Sequence, residues 1–157
     1  MKERRTAFLI FCFALTVIAA FAEAPFAVVA PKKARTRIVD QALFYAGAPY
    51  AYGGIDARGF DCSGFVYRVF LGAVGASLPR TARAQYDFRE PIDASKLQPG
   101  DLLFFNTTGA VSHVGIYEGE GCFFHAASEG SKKCVIDYEI SESYWAKAFV
   151  SAGRIVP

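Results

Sequence analysis

The sequence predicts an α+β fold in which helices come first and an antiparallel sheet follows. In the first half of the chain, apolar residues recur at helical spacing. After Pro99–Gly100 they gather instead in five short runs separated by turns. Helices followed by a run of strands indicate segregated α and β layers rather than alternating βαβ units. At 157 residues, the chain has room for one such domain.

The N-terminus has the pattern of an export signal. A positive stub over residues 2–5 precedes an apolar run over 7–22. This run is shorter than the roughly 20 residues needed to cross a bilayer, and it ends in small residues that suit signal peptidase. We therefore expect a signal peptide over residues 1–22. An uncleaved membrane anchor and lipidation at Cys12 are the alternatives.

Three helices are predicted in the first half of the chain. The first covers residues 36–46 and stops at Gly47. The second starts at the Asp61–Cys62–Ser63 corner, behind a glycine-rich loop, and a short third helix covers residues 81–88. Residues 23–35 combine proline, alanine and basic residues, so we expect a flexible lead-in over residues 23–37, which overlaps the first two residues of the first helix.

Five short strands are predicted in the second half, and together they form an antiparallel meander. A helical turn at Tyr144–Trp145 is expected before the last strand. Each strand is predicted from an alternating or continuous apolar run bounded by turn residues. The strands cover residues 102–105, 114–117, 122–125, 135–138 and 149–155.

The charge of the chain argues against a nucleic-acid partner. Of 17 basic and 15 acidic residues, three basic and one acidic lie in the first five positions, which leaves 14 of each sign in the rest. A neutral body lacks the basic surface that phosphate neutralisation requires, and bulk charge does not draw it to a membrane. We expect a monomer with no membrane association once the signal is removed.

Residue types that can do chemistry are few. Cys62 stands at the predicted start of a helix, where the helix N-terminus lowers a thiol pKa below its usual ~8.5. His113 and His125 are the only histidines, and they lie on adjacent predicted strands. A cysteine with a histidine base and a third polar group makes a nucleophile.

Two other interpretations of these residues remain open. Cys62 can be a buried small hydrophobe. A zinc site built from Cys62, His113 and His125 lacks the C-x-x-C or H-x-x-x-H spacing that would support it. We therefore expect neither a metal nor another cofactor.

The remaining cysteines raise the question of a disulfide. The chain without its predicted signal carries three cysteines, an odd number. Cys122 and Cys134 lie symmetrically about Ser128 and would face each other in a hairpin centred there. Such a bridge would leave Cys62 free. The alternative is two unpaired cysteines that fill space in the core.

Several short segments of the chain form one recognisable set. They are G-A-P-Y-A-Y-G-G at 47–54, G-F-D-C-S-G-F-V at 59–66, L-P-R-T at 78–81, Gln85, L-Q-P-G-D-L-L-F-F at 97–105, S-H-V-G-I-Y at 112–117 and F-H-A-A at 124–127. Together they resemble the NlpC-type family of bacterial cell-wall cysteine peptidases, which has a papain-like fold. They occur in the family order and span roughly residues 38–156. Ala127 replaces a frequent serine, and a single Arg154 stands where paired basic residues are common.

The resemblance implies a peptidase domain over residues 38–157, with a nucleophile at a helix start packed on the five-stranded sheet. It implies Cys62 as nucleophile, His113 as general base and His125 as the polar third member. The implied substrates are peptidoglycan stem peptides, cut between D-glutamate and the diamino acid, in the periplasm or at the cell wall. An acyltransferase or amidase on the same fold and a non-catalytic wall-binding domain are the alternatives.

The resemblance also implies three substrate-binding residues. Tyr50 would donate a hydrogen bond to an oxyanion or to a bound carboxylate. Asp61 would hold the free amine of a stem peptide, although an aspartate at this position also suits a helix N-cap. Ser63 would hydrogen-bond the D-glutamyl portion.

Overall fold

A computed structural model describes residues 30–130 and 133–157. The predicted signal peptide, Cys12 and residues 23–29 of the predicted lead-in lie outside the described residues. None of the helices that are described is long and apolar enough to span a bilayer.

The described residues contain four α-helices, and the first begins earlier than predicted. Residues 31–37, assigned above to a flexible lead-in, form the first two turns of α1. Ala34, Ile38 and Ala42 are buried at helical spacing, and Arg35 is buried with them. The helices are α1 (Pro31–Phe44), α2 (Cys62–Val74), α3 (Ala82–Phe88) and α4 (Ser143–Ala148).

The main sheet is antiparallel, as predicted, but has six strands instead of five. The missed strand, β3, lies at the edge of the sheet and contains Pro91, which has no N–H to donate and is tolerated only at such an edge. In spatial order the strands are β3 (Glu90–Ile92), β8 (Phe149–Arg154), β4 (Leu102–Asn106), β5 (Val111–Gly119), β6 (Cys122–Ala126) and β7 (Val135–Glu139).

Two shorter elements complete the described fold. A small hairpin of β1 (Ile55–Asp56) and β2 (Gly59–Phe60) directly precedes α2. A 3-10 turn at Ala94–Lys96 leads from β3 towards β4. The hairpin therefore sets where the helix carrying Cys62 begins.

The sheet is buried on both faces near its centre. Leu102 and Phe104 of β4 pack with α1 and α2, whereas Leu103 and Phe105 pack with Trp145 of α4. Successive side chains of a strand point to opposite faces, so the continuous apolar run in β4 fills two cores at once. Helices α1 and α2 thus cover one face of the sheet, and α4 covers the other face.

The hairpin of β6 and β7 contradicts the predicted disulfide. Cys122 pairs with Glu139, and the Ala127 N–H donates to the Cys134 carbonyl oxygen at 2.9 Å. The two cysteines lie at opposite ends of the hairpin, about 17 Å apart at the usual rise of a strand, beyond the reach of a disulfide. Both are free. The prediction is wrong because the connection runs over residues 127–134, which centres the hairpin after residue 130 rather than at Ser128.

Candidate active site

Cys62 is the first residue of α2, as the sequence predicts. Asp61 caps the helix, because its Oδ1 accepts a hydrogen bond from the Gly64 N–H at 2.7 Å. The Cys62 Sγ lies 3.9 Å from the carbonyl oxygen of Ser112 on β5. The backbone N–H of Val114, the residue after His113, is also close enough to favour the thiolate form of Cys62. The thiol therefore lies against the stretch of β5 that carries His113.

His113 and His125 form a buried pair on neighbouring strands. His113 Nε2 lies 2.9 Å from His125 Nδ1, and the two residues are 8% and 2% exposed. Trp145 stacks on His113 at 5.4 Å and meets the His125 ring edge-on at 4.7 Å. The contact with His125 occupies Nε2 of His113 and leaves its Nδ1 without that partner. The structure thus pairs the two predicted catalytic histidines and places one of them on the strand whose backbone lies against the Cys62 thiol.

Burial controls the protonation of this cluster. It raises the pKa of the Cys62 thiol, and the Asp61 carboxylate raises it further, although nearby backbone N–H groups lower it. Burial also lowers the pKa of His113 to about 4, and together with the neighbouring His113 it lowers that of His125 to about 3. The helix start was expected to lower the pKa of the Cys62 thiol, but burial and the Asp61 carboxylate outweigh that effect and raise the pKa. A neutral thiol beside a neutral imidazole is the starting point for general-base activation.

Arg80 is a site residue that the sequence analysis missed. It donates to both carboxylate oxygens of Asp61, at 2.9 Å and 2.6 Å, and to Ser63 Oγ at 3.1 Å. Burial opposes ionisation of Asp61, but hydrogen bonds from Arg80 and Gly64 outweigh it and lower the pKa of that carboxyl. Arg80 belongs to the quoted L-P-R-T segment, yet nothing in the sequence shows which acid it contacts.

Gln85 connects the loop of Arg80 to the start of α2. It is fully buried, and its Nε2 donates to the carbonyl oxygens of Ser63 at 3.0 Å and Pro79 at 2.9 Å. The loop and the helix start are therefore held together through one side chain. This contact explains physically why Gln85 accompanies the other quoted segments.

An open cleft of about 470 Å³ leads to the thiol. Burial raises the pKa of Tyr50, and the nearby Cys62 and Asp61 raise it further, so its hydroxyl keeps a proton that it can donate. All three residues predicted to bind substrate line this cleft. Its polar lining includes Tyr50, Asp61, Cys62, Ser63, Arg80 and Ser112.

A second cavity of about 400 Å³ borders the histidine pair and shares no lining residue with the cleft. Tyr144 and Trp145 form its aromatic wall, and Glu129 and Glu142 also line it. No sequence pattern points to either glutamate. One cavity therefore borders the Cys62 thiol, and a separate one borders the histidine pair.

Comparison with characterised sequences places this arrangement among known proteins. The chain is 42% identical over 127 residues to a γ-DL-glutamyl hydrolase of Bacillus subtilis, covering 79% of this chain and 30% of the relative. It is 39% identical over 130 residues to the murein DD-endopeptidase MepH of Escherichia coli, covering 80% and 47%. With the probable endopeptidase NlpC of E. coli it shares 40% identity over 118 residues, covering 74% and 75%. The chain thus spans less than half of the first two relatives.

A solved structure and a family model agree with these relatives. An NlpC/P60 family protein from Bacillus cereus superposes with a TM-score of 0.72 at 28% identity, covering 78% of this chain and 40% of that one. The model of the NlpC/P60 family matches residues 47–154, which include Cys62, His113 and His125. The chain belongs to the NlpC/P60 family.

Proposed function

We propose that this chain is a peptidoglycan endopeptidase that hydrolyses stem-peptide bonds with Cys62 as nucleophile. The observation that carries the proposal is the buried cluster in which Cys62, at the start of α2, lies against β5 beside the 2.9 Å contact of His113 with His125. A thiol, a base and a polar group that orients the base are the parts that nucleophilic acyl transfer needs.

Acylation begins when His113 Nδ1 takes the proton of the Cys62 thiol. The thiolate attacks the carbonyl carbon of the scissile peptide, and the oxyanion accepts hydrogen bonds from the Cys62 N–H and the Tyr50 hydroxyl. One such donor contributes about 3 kcal/mol. The C–N bond then breaks, the leaving amine takes the proton from His113, and a thioester to Cys62 remains.

Water completes the cycle. His113 takes a proton from the water as it attacks the thioester carbonyl, and the C–S bond breaks to give a carboxylic acid and the Cys62 thiol. His125 Nδ1 accepts the Nε2 hydrogen of His113 throughout and so keeps Nδ1 available for proton transfer. Because His125 brings no negative charge, the imidazolium is stabilised mainly by the thiolate.

For the scissile bond we propose the link between D-glutamate and the diamino acid. Arg80 offers hydrogen-bond donors on the cleft side of Cys62, where they suit the carboxylate of a D-glutamyl residue. The Ser63 hydroxyl donates to Asp61 Oδ1 at 3.2 Å without substrate, and it would turn this hydrogen to the same carboxylate when substrate binds. Asp61 already contacts Arg80 with both oxygens, so a stem amine would share this carboxylate with the guanidinium. The B. subtilis relative is named for a γ-glutamyl bond, whereas MepH is named for a DD bond.

The proposed substrate also fixes where the protein acts. Peptidoglycan lies outside the cytoplasmic membrane, and the predicted signal peptide over residues 1–22 is the segment that would deliver the chain there. We therefore propose that the mature protein works in the periplasm or at the cell wall, as a monomer.

Digestion of purified muropeptides followed by mass spectrometry tests the function and the bond. We expect products that end in D-glutamate, each product pair heavier than its substrate by one water. Cys62→Ala abolishes cleavage, and Cys122→Ala, which changes a thiol at the far end of β6, leaves it intact. Cleavage by Cys62→Ala overturns the mechanism. Cleavage only at cross-links overturns the choice of bond, and products joined to an added amine identify an acyltransferase.

A further inference from the structure

The cavity beside the histidine pair has a composition that suits a cation. Aromatic faces attract cations, and carboxylates pair with them. Tyr144 is 55% exposed, and Glu129 and Glu142 are exposed beside it. Among the described residues, neither carboxylate forms an ion pair, and the Glu142 side chain makes no capping bond to α4. No described lining residue is a lysine or an arginine, and the two histidines that line the cavity are neutral.

A polar group on the wall of this cavity also lacks a partner. His125 is 2% exposed and lines the cavity, yet its Nε2 has no hydrogen-bond partner among the described residues. When His125 Nδ1 accepts from His113, Nε2 must carry the hydrogen, so this nitrogen is a donor. A buried donor without an acceptor is unusual and is expected where a ligand completes the site. Thr107 and Thr108 add hydroxyls to the same wall.

The proposed reaction determines which part of the substrate lies in the cavity beside the histidine pair. His113 protonates the leaving amine, so the residue on the amine side of the scissile bond lies next to His113. The cleft with Ser63 and Arg80 adjoins Cys62 and takes the acyl side. The second cavity adjoins His113 and is the nearest space for the remainder of the leaving residue.

We infer that this cavity is the subsite for the leaving diamino acid and selects it by its side-chain ammonium. Glu129 and Glu142 pair with the ammonium, and the Tyr144 ring packs against the side chain that carries it. His125 Nε2 donates to an oxygen of the same residue. This inference rests on the proposed function and adds to it the part of the substrate that is recognised on the leaving side.

A pair of synthetic tripeptides tests the inference. Both have the sequence L-alanine, γ-linked D-glutamate and a diamino acid, and they differ only in whether the side-chain amine is free or acetylated. We expect the wild-type protein to cleave the free-amine peptide with a KM about threefold to tenfold lower, the range for a cation between a carboxylate and an aromatic ring. Added salt narrows this difference because both carboxylates are exposed.

Charge-neutral variants identify the residues responsible. In the double variant Glu129→Gln with Glu142→Gln, the ratio of the two KM values falls to about one. Glu139→Gln, at an exposed glutamate of β7 outside the cavity, keeps the wild-type ratio. Equal KM values for both peptides in the wild-type protein overturn the inference but leave the proposed function standing. An unchanged ratio of KM values in the double variant does the same. If wild type cleaves neither peptide, the choice of bond is wrong and the inference falls with it.

Discussion

His113 and His125 are buried as neutral rings, which makes the stability of the fold sensitive to acid. Their folded-state pKa values, about 4 and about 3, lie below the ordinary value of 6.5. At pH values between the folded-state pKa values and 6.5, the unfolded chain therefore binds more protons than the folded chain. The stability that depends on keeping these histidines neutral is fully present above pH 6.5 and is lost as the pH falls towards 4.

We expect the free energy of unfolding in urea to fall between pH 7 and pH 5, with a slope that approaches about 1.4 kcal/mol per pH unit for each buried histidine only below pH 6.5. His125→Asn removes one of the two titrating rings and should weaken this dependence. Comparing the drop in the two proteins cancels the contribution of carboxylates, which titrate mainly at lower pH. Equal drops in both proteins would show that His125 is not held neutral by the fold.

The two histidines also differ in what their loss should do to catalysis. His113→Ala removes the proposed general base and is expected to lower kcat by about 10²- to 10⁴-fold. His125→Asn keeps an oxygen that can accept the Nε2 hydrogen of His113, so measurable activity should remain. Initial rates on a muropeptide substrate separate these outcomes. If His125→Asn is as inactive as Cys62→Ala, His125 takes part in proton transfer directly.

The reactive residues of this site are more predictable from sequence than the residues that hold them. Cys62, His113 and His125 belong to rare residue types with one shared chemistry, so their grouping follows from the predicted elements. Arg80 is different, because an arginine after a proline can pair with any acid that the fold brings near. Its partner Asp61 is 19 residues away, and only the packing of the loop against α2 shows the pair.

At the scale of single elements, α2 offers two glycines with opposite environments. A Cβ added to Gly64 would overlap the carbonyl oxygen of Gly54, a backbone atom that has no room to move. A Cβ added to Gly72 would meet the flexible side chain of Gln41 at 3.3 Å. Alanine otherwise favours a helix over glycine by about 0.5–1 kcal/mol.

Alanine should therefore have opposite effects at these two positions. Gly72→Ala is expected to raise the free energy of unfolding by about 0.5 kcal/mol and to leave activity unchanged. Gly64→Ala is expected to lower it by about 2 kcal/mol or more, as overpacking does, and to reduce activity because the clash displaces the turn that carries Cys62. Urea unfolding and muropeptide digestion measure both effects. Equal stabilities of the two variants would contradict the close approach of α2 to Gly54.

Element boundaries were less predictable than element types. The start of α1 was missed because Arg35 reads as a solvent-exposed charge, whereas burial against Asp101 makes it part of the helix interior. Strand β3 was missed because three residues with a central proline carry no periodic pattern. The β6–β7 register depended on the length of the loop over residues 127–134, which apolar spacing does not encode.

At the scale of the whole molecule, one buried carboxylate connects the two ends of the described chain. Asp101, at 1% exposure, accepts from Arg35 of α1 at 3.0 Å and from Arg154 of β8 at 2.9 Å and 2.8 Å. The Gln98 N–H donates to the same group at 2.8 Å. Arg35 also donates to the carbonyl oxygen of Val156. The first helix and the last strand are thus held to the start of β4.

Asp101→Asn is expected to destabilise the whole domain, because it keeps the shape of the side chain but leaves the buried Arg35 and the half-buried Arg154 without their counter-charge. Removing one partner of a buried ion pair costs about 3–5 kcal/mol. The matched control is Asp56→Asn, which breaks an exposed pair with Arg58 at 2.8 Å and should leave stability unchanged within error. Because a domain of this size unfolds in one step, both variants can be compared by their urea midpoints. If the midpoint of Asp101→Asn matches that of Asp56→Asn, the carboxylate does not hold α1 and β8 together, and their packing must rest on the apolar core alone.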